Sequence, residues 1–170
     1  MSEDRAQTDN GAVAAARAWV SAVMDERDLA KAWPLTDPPL RKVLAQHWIL
    51  QSPPDVVGPP EGWEAMADRL AADSPDHPLW PQFASERLGR WREFWTGFSP
   101  VTWGIKDRTE IRPGVVVVTF VEPRGKLMQL KPGPPLEFRR LAVRRTGDGW
   151  LLAGLDGSNL FQPGWPPGPA

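Results

Sequence analysis

The sequence predicts an α+β domain in which helices cover one face of an antiparallel sheet. The second half of the chain, residues 101–156, contains four apolar segments of strand length separated by Gly- and Pro-containing turns. The first half instead repeats apolar side chains at the three- and four-residue spacing of amphipathic helices. Because the helices precede the strands and do not alternate with them, the pattern favours α+β layers. A length of 170 residues favours a single domain.

Four helices and one short helical turn are predicted before the sheet. They span residues 12–27, 38–50, 61–72 and 82–96, with the short turn at residues 28–33. The first helix carries an apolar stripe and can be capped by Asp9 or Asn10, so residues 1–10 are expected to be a disordered polar segment. The second begins with Asp37 and Pro38, residue types that the start of a helix prefers.

The strands are predicted at residues 101–111, 115–121, 136–146 and 150–155, with turns at Arg112-Pro113-Gly114 and Gly147-Asp148-Gly149. In the third strand the apolar residues change parity near Arg139 and Arg140, which predicts a β-bulge and a bent sheet. The second strand is apolar on both faces and should be covered on both. Because helices can cover only one face, the sequence predicts a homodimer through the other. The C-terminal tail and the loop at residues 122–135 are the alternative covers.

Composition narrows the classes of partner and location. The formal net charge is −1, so no polyanion such as nucleic acid is expected as a partner. No apolar run approaches the ~20 residues of a membrane span, and the acidic N-terminus lacks an apolar signal core. The expected location is therefore the cytoplasm. With no Cys and two His thirty residues apart, no metal site is expected, and no Gly-rich phosphate loop points to a cofactor.

Ten Trp and no Tyr make the aromatic composition unusual. Trp supplies a large apolar ring with a single N–H donor, which suits a core. It also suits the wall of a cavity for an apolar small molecule. The aromatic side chains expected to line such a cavity come from helices and strands that should face one another: Trp19, Trp33, Trp48, Trp91, Trp95, Trp103, Phe120 and Phe138.

The order of elements resembles the nuclear transport factor 2-like superfamily, including its SnoaL-like members. The resemblance covers roughly residues 11–156: an amphipathic helix ending in Asp25-Glu26-Arg27-Asp28, a short turn to Trp33, a further helix, and antiparallel strands closing on residues 150–155. It implies a cystatin-like cone, in which a curved sheet wraps the N-terminal helices around an apolar cavity. Members include isomerases, dehydratases, polyketide cyclases and binding proteins. The chain departs from them in lacking Tyr donors and an evident early β-hairpin at residues 51–60.

His47 is the leading candidate for a catalytic base, because His titrates near neutral pH and this one is predicted to point inward from its helix. Asp37 is the candidate carboxylate beside it. The structural alternatives are a hydrogen-bonded core His and a helix N-cap Asp. Weaker candidates are an exposed Asp76-His77 pair, a turn-forming Asp156, and a basic strand expected at a solvated or subunit-facing edge: Arg139, Arg140, Arg144 and Arg145.

Three functions follow from these observations. The first is non-catalytic binding of an apolar small molecule in the aromatic cavity. The second is a SnoaL-like isomerase, cyclase or dehydratase that uses His47 with a carboxylate. The third is a dimeric interaction module whose Pro- and Gly-rich tail, residues 162–170, docks on a partner. That tail is expected to favour extended polyproline II conformations over packed structure. The folded domain is expected to span residues 11–161.

Overall fold

The computed structural model describes residues 2–123, 137–155, 157, 160 and 162–168, with side chains from Gly11 onward. The helices are α1 Ser2–Met24, α2 Leu29–Ala32, α3 Pro38–Gln51, α4 Pro54–Val57, α5 Trp63–Ala71 and α6 Trp80–Phe94, with a 3-10 turn at Pro60–Gly62 before α5. The strands are β1 Gly104–Arg112, β2 Val115–Val121, β3 Phe138–Thr146 and β4 Gly149–Gly154. Helices followed by antiparallel strands confirm the predicted α+β class.

The four strands form one antiparallel meander in the order β1-β2-β3-β4. The first hairpin turns at Pro113 and Gly114, where Gly114 has a φ of 73° that residues with a Cβ adopt only at a cost. The last hairpin turns at Gly147 and Asp148, between paired Thr146 and Gly149. Both turns lie where the sequence predicts them, because Pro-Gly and Gly-Asp-Gly supply the backbone angles that tight turns need.

A short segment between α2 and α3 adds a parallel edge to β4. The Asp37 N–H donates to the Leu152 carbonyl at 2.7 Å, and the Leu152 N–H donates to the Leu35 carbonyl at 2.8 Å. This pairing satisfies backbone groups that an edge strand would otherwise leave open. It was not predicted from the sequence, since the five residues between the end of α2 and Pro38 are too few to show a strand pattern.

The core lies between α1, the other helices and one face of the sheet. β2 contributes Val116, Val118 and Phe120 to it, and α1 contributes a stripe that includes Ala16 and Val20. Alternate residues of a strand point to opposite faces, so Val115 and Val117 lie on the outer face of the sheet. They are nevertheless only 5% and 7% exposed in the single chain. Val115 and Val117 therefore do not present the open Val-rich face that motivated the predicted homodimer, and the homodimer itself stays a prediction.

Several element boundaries differ from the predictions. α1 begins at Ser2, so Asp9 and Asn10 lie within it and cannot cap it. β1 begins at Gly104, and Val101, which was predicted to start it, is 80% exposed in a turn. The loop at residues 122–135 lies mostly outside the described residues, and Asp156 lies outside them too.

The predicted bulge near Arg139 and Arg140 is wrong in position. β2 and β3 pair there without interruption. The register shift lies between Ala142 and Val143 in the pairing of β3 with β4, and two more occur in β1. The physical reason is that Leu141, Ala142 and Val143 are all buried, so the parity change reflects a strand covered on both faces at this point.

Candidate functional site

Seven of the eight aromatic side chains predicted to line a cavity are buried in the core. They pack edge to face: Trp19 on Trp91 at a ring-centroid distance of 4.9 Å, and Phe98 on Trp103 and Phe120 at 4.8 and 5.2 Å. Trp95 also packs on Phe98, at 5.0 Å. Aromatic pairs prefer this geometry, and it leaves little room between the rings.

Three indole N–H groups of this core are bonded to protein atoms, whereas the buried Trp95 N–H has no hydrogen-bond partner among the described residues. Trp19 donates to the Thr36 hydroxyl at 3.0 Å, Trp33 to the Ala72 carbonyl at 3.1 Å, and Trp48 to the Glu86 carboxylate at 2.8 Å. These donors are used for structure and do not point at a ligand. The ligand-binding role predicted for these rings stays a prediction.

Phe138 differs from the other seven because it is half-buried. It borders a cavity of about 260 Å³ with Phe94, Arg139, Arg140 and Leu155. None of the other seven rings borders this cavity or the three others described below. The aromatic composition of the chain therefore builds its core, and the described cavities lie around that core.

His47 and Asp37 do not form one site. They lie at opposite ends of α3, ten residues apart, which at about 1.5 Å rise per residue separates their backbones by about 15 Å. The predicted inward direction of His47 is wrong. Its ring is half-buried at the helix surface, and Nε2 lies 2.6 Å from the carbonyl oxygen of Gly168 in the C-terminal tail. The buried stripe of α3 runs through Leu44 and Trp48 instead.

Asp37 occupies the N-cap position of α3, but its side chain makes no capping hydrogen bond. Its carboxylate is buried, and Oδ2 lies 2.6 Å from Nη1 of Arg144 in an ion pair. Burial raises the pKa of Asp37, against the opposing effect of Arg144 and Arg41. Arg41 itself pairs with Asp73 at 2.5 Å. Arg144 therefore has a buried partner, and the prediction of a solvated or subunit-facing edge is wrong for this residue.

The weaker pair, Asp76 and His77, lies between α5 and α6. Arg69 bonds the Asp76 carboxylate at 3.0 Å, and the hydrogen bond from Arg69 lowers its pKa. His77 Nδ1 accepts from the Leu79 N–H at 3.1 Å, and burial lowers the pKa of its ring. These contacts hold the segment between α5 and α6 in place, which is a structural role for Asp76 and His77.

The largest of the four cavities lies between α1 and β1, with a volume of about 610 Å³. We call it the α1–β1 groove. α1 contributes Val13, Ala14 and Arg17, and β1 contributes Ile105, Lys106, Asp107 and Arg108. A helix brings residues four apart to one face, so Val13 and Arg17 share the wall that α1 presents.

The charges of the groove are held in different ways. The two Nη atoms of Arg17 donate to the carbonyls of Pro100 and Trp103, which fixes the guanidinium. Asp107 accepts a hydrogen bond from Thr119 at 2.9 Å. Arg108 is exposed, and its side chain makes no hydrogen bond or ion pair with any described residue. Sequence reasoning missed this set because it sought the cavity among aromatic residues and the basic residues on the third strand; the signal was three cationic residues, Arg17, Lys106 and Arg108, on α1 and β1.

Two further cavities lie elsewhere on the surface. One of about 280 Å³ lies on the outer face of the sheet, where its polar neighbours are Asp107, Thr109, Thr119 and Arg140. The other, of about 480 Å³, lies beside the C-terminal tail and is bordered by Leu50 and Trp63 together with Trp165 of the tail. The second contradicts the expectation of an unpacked tail, because Trp165 forms part of its wall.

Neither a membrane helix nor a metal site occurs in the part of the chain that the structure describes. There, none of the helices combines the length and apolar character that crossing a bilayer requires. Groups of three or more His, Cys, Asp or Glu side chains able to hold a metal ion are likewise missing among the described residues.

No protein-family model, curated protein or solved structure matches the chain. The resemblance to the nuclear transport factor 2-like superfamily, and the cone that it implies, therefore stay predictions. The geometry of the chain itself carries the functional argument.

Proposed function

We propose that this protein binds a small anionic molecule with an apolar body in the α1–β1 groove. The observation that carries the proposal is the lining, in which three cationic residues and one acidic residue give a formal balance of +2 beside the apolar side chains of Val13 and Ile105. The Lys106 ammonium lies over the Phe138 ring at 4.4 Å, so Arg17 and Arg108 are the charges offered to a ligand. The volume of about 610 Å³ lies in the range of ~300–1,000 Å³ typical of small-molecule sites.

Arg17 and Arg108 favour a ligand anion for different reasons. Arg17 is fixed by two of the five N–H donors of its guanidinium, so it supplies a positioned charge with donors left over. Arg108 has no partner among the described residues and can close on an anion that arrives. Because arginine binds carboxylates, sulfonates and phosphates through paired donors, it is well suited to this role.

Binding is favoured over catalysis because the groove offers little acid–base chemistry. Asp107 is its one carboxylate, and that group already accepts a hydrogen bond from Thr119. His47 and Asp37, the pair predicted to act together, lie at the two ends of α3 and border none of the four cavities. The proposed ligand is also more polar than the apolar molecule predicted from the sequence, since the groove and not the aromatic core receives it.

The test compares two fluorescent probes that share one apolar body. The probe 1-anilinonaphthalene-8-sulfonate carries an anionic group, and N-phenyl-1-naphthylamine does not. We expect the sulfonate to bind more tightly, and its affinity to fall as salt is added. A unit charge pair at about 4 Å in water contributes about 1 kcal/mol, which corresponds to about fivefold in Kd. Arg108→Glu should therefore weaken the affinity for the sulfonate probe by at least about fivefold and leave the affinity for the neutral probe unchanged.

Arg112→Glu is the matched control, since Arg112 is an exposed residue of the same strand that does not border the groove. It should leave both affinities within twofold of the wild type, and near-UV circular dichroism should show that both variants keep native packing. Equal binding of the two probes, or equal effects of the two substitutions, would overturn the proposal.

A further inference from the structure

The C-terminal residues 162–168 pack against a surface formed by α3, the 3-10 turn and α5. We call this surface the tail site. The Gly164 N–H donates to Oε1 of Gln46 at 3.1 Å, and the Trp165 indole N–H donates to Oε2 of Glu64 at 2.6 Å. Gly168 receives the third contact, from Nε2 of His47 at 2.6 Å. The tail site thus contacts three polar groups of the tail: one backbone N–H, one indole N–H and one backbone carbonyl.

The polar groups of the tail site are prepared for these contacts. Gln46 is only 1% exposed, so its side chain has a fixed direction. Glu64 also bonds Lys42, and the hydrogen bonds from Lys42 and then from Trp165 lower its pKa, which keeps it an ionised acceptor. Lys42 is held in turn by Asp68 at 2.8 Å. A charged acceptor roughly doubles the strength of a hydrogen bond, so Glu64 is the main polar anchor for an indole.

The apolar part of the tail site is only partly filled by the tail. Trp165 lies with its ring centroid 5.7 Å from that of Trp63, and Pro167 is buried. Beside them a cavity of about 480 Å³ stays open, and Leu50 on its wall is 43% exposed. A segment with one more apolar side chain than the tail would bury this surface as well.

We propose that the tail site is a receptor for a proline-rich segment of a partner protein that carries a Trp-Pro step, and that residues 162–168 compete with that partner. Proline-rich segments bind aromatic-lined grooves at low entropic cost because few of their torsions must be fixed. The open cavity beside Trp165 favours a longer partner segment over the tail of this chain. This inference concerns a different surface from the α1–β1 groove and does not depend on the function proposed for it.

The experiment measures binding of a fluorescein-labelled peptide with the sequence of residues 160–170 to the full chain by fluorescence anisotropy. A tethered tail has an effective concentration on the order of millimolar. Trp165→Ala removes the side chain that anchors the tail, so the tail of this variant competes less well for the tail site. The peptide should therefore bind the variant at least about tenfold more tightly than it binds the wild type. If the variant and the wild type bind the peptide equally, or if neither binds it, the proposal is overturned.

The receptor side is tested within the Trp165→Ala chain. Adding Glu64→Gln should weaken the affinity for the peptide by about tenfold. Adding Glu61→Gln, which changes an exposed carboxylate on the neighbouring 3-10 turn, should change that affinity less than twofold. A peptide with its Trp replaced by Ala should not bind. Light scattering distinguishes the source of the segment: a wild-type dimer that the Trp165→Ala substitution dissociates would make a second copy the occupant and overturn the proposal of a partner protein.

Discussion

Substitution of Thr36 should lower stability strongly, because its hydroxyl supplies a hydrogen-bond partner to a buried indole of the aromatic core. Thr36 is fully buried; its hydroxyl accepts from the Trp19 indole at 3.0 Å and donates to the Ala32 carbonyl at 2.8 Å. In Thr36→Val a methyl group replaces that hydroxyl at nearly constant volume. The Ala32 carbonyl keeps a partner, the Leu35 N–H at 3.1 Å, but the buried Trp19 N–H loses the Thr36 acceptor. An orphaned buried donor costs about 1–3 kcal/mol, so we expect this loss in the free energy of unfolding.

The assay is urea unfolding followed by far-ultraviolet circular dichroism, which is insensitive to the loss of one Trp. Trp19→Phe removes the donor, so Thr36→Val should cost less in that background, with a coupling energy of about 1–3 kcal/mol. Thr109→Val is the control: it makes the same chemical change at an exposed position and should stay within about 0.5 kcal/mol. Equal costs of Thr36→Val with and without Trp19 would refute the reasoning.

Three further predictions concern a buried charge, the outer face of the sheet and a turn. Because burial raises the folded pKa of Asp37, its stabilising contribution is present below its ordinary value of 3.8 and is lost as the pH rises through the folded pKa. The difference in unfolding free energy, wild type minus Asp37→Asn, should therefore decrease as the pH rises from 3.5 to 7, as measured by urea titrations. An increase in this difference would contradict the prediction. Val117 is 7% exposed in one chain, so Val117→Asp should lower the stability of a monomer by about 3 kcal/mol or more. If light scattering instead shows a wild-type dimer that the substitution converts to a folded monomer, the result would support the predicted interface. Gly114→Ala should cost about 1–2 kcal/mol, since its φ is 73°, whereas Gly147→Ala, where an added Cβ meets open space, should cost clearly less in thermal unfolding.

The elements that the sequence predicts well are those whose signals are local. Pro38 at the start of α3 and the Pro-Gly pair between β1 and β2 act through their own backbone angles, and both boundaries are correct to within a residue. The start of β1 at Val101 failed because alternation over three apolar residues does not show whether a neighbouring strand is within reach. Residues 101–103 have no partner in β2, since Gly104 already pairs with Val121, the last residue of that strand.

The environments of Asp37 and His47 could not be predicted for a different reason, which is that their partners are distant in sequence. Asp37 has the residue type and the position of an N-cap, yet Arg144 and burial decide what its carboxylate does. His47 falls on an apolar face by spacing alone, but the inward stripe of α3 passes through Leu44 and Trp48, and His47 contacts a tail 121 residues away. Helical spacing predicts which residues share a face of α3. Which part of that face is buried depends on contacts with residues that are distant in sequence.

The Trp content shows why composition could predict an aromatic cluster but not a cavity. A ring that lines a cavity and a ring that fills a core look alike in sequence, since both require a large apolar side chain at a buried position. The indole N–H separates the two, because a donor bonded inside the fold has no part in holding a ligand. Trp19 and Trp48 donate to groups within the domain, whereas Trp165 donates to Glu64 from the tail. Since the core is filled, the two proposed binding surfaces lie at the periphery, where the α1–β1 groove and the tail site combine partly exposed apolar surface with charged side chains.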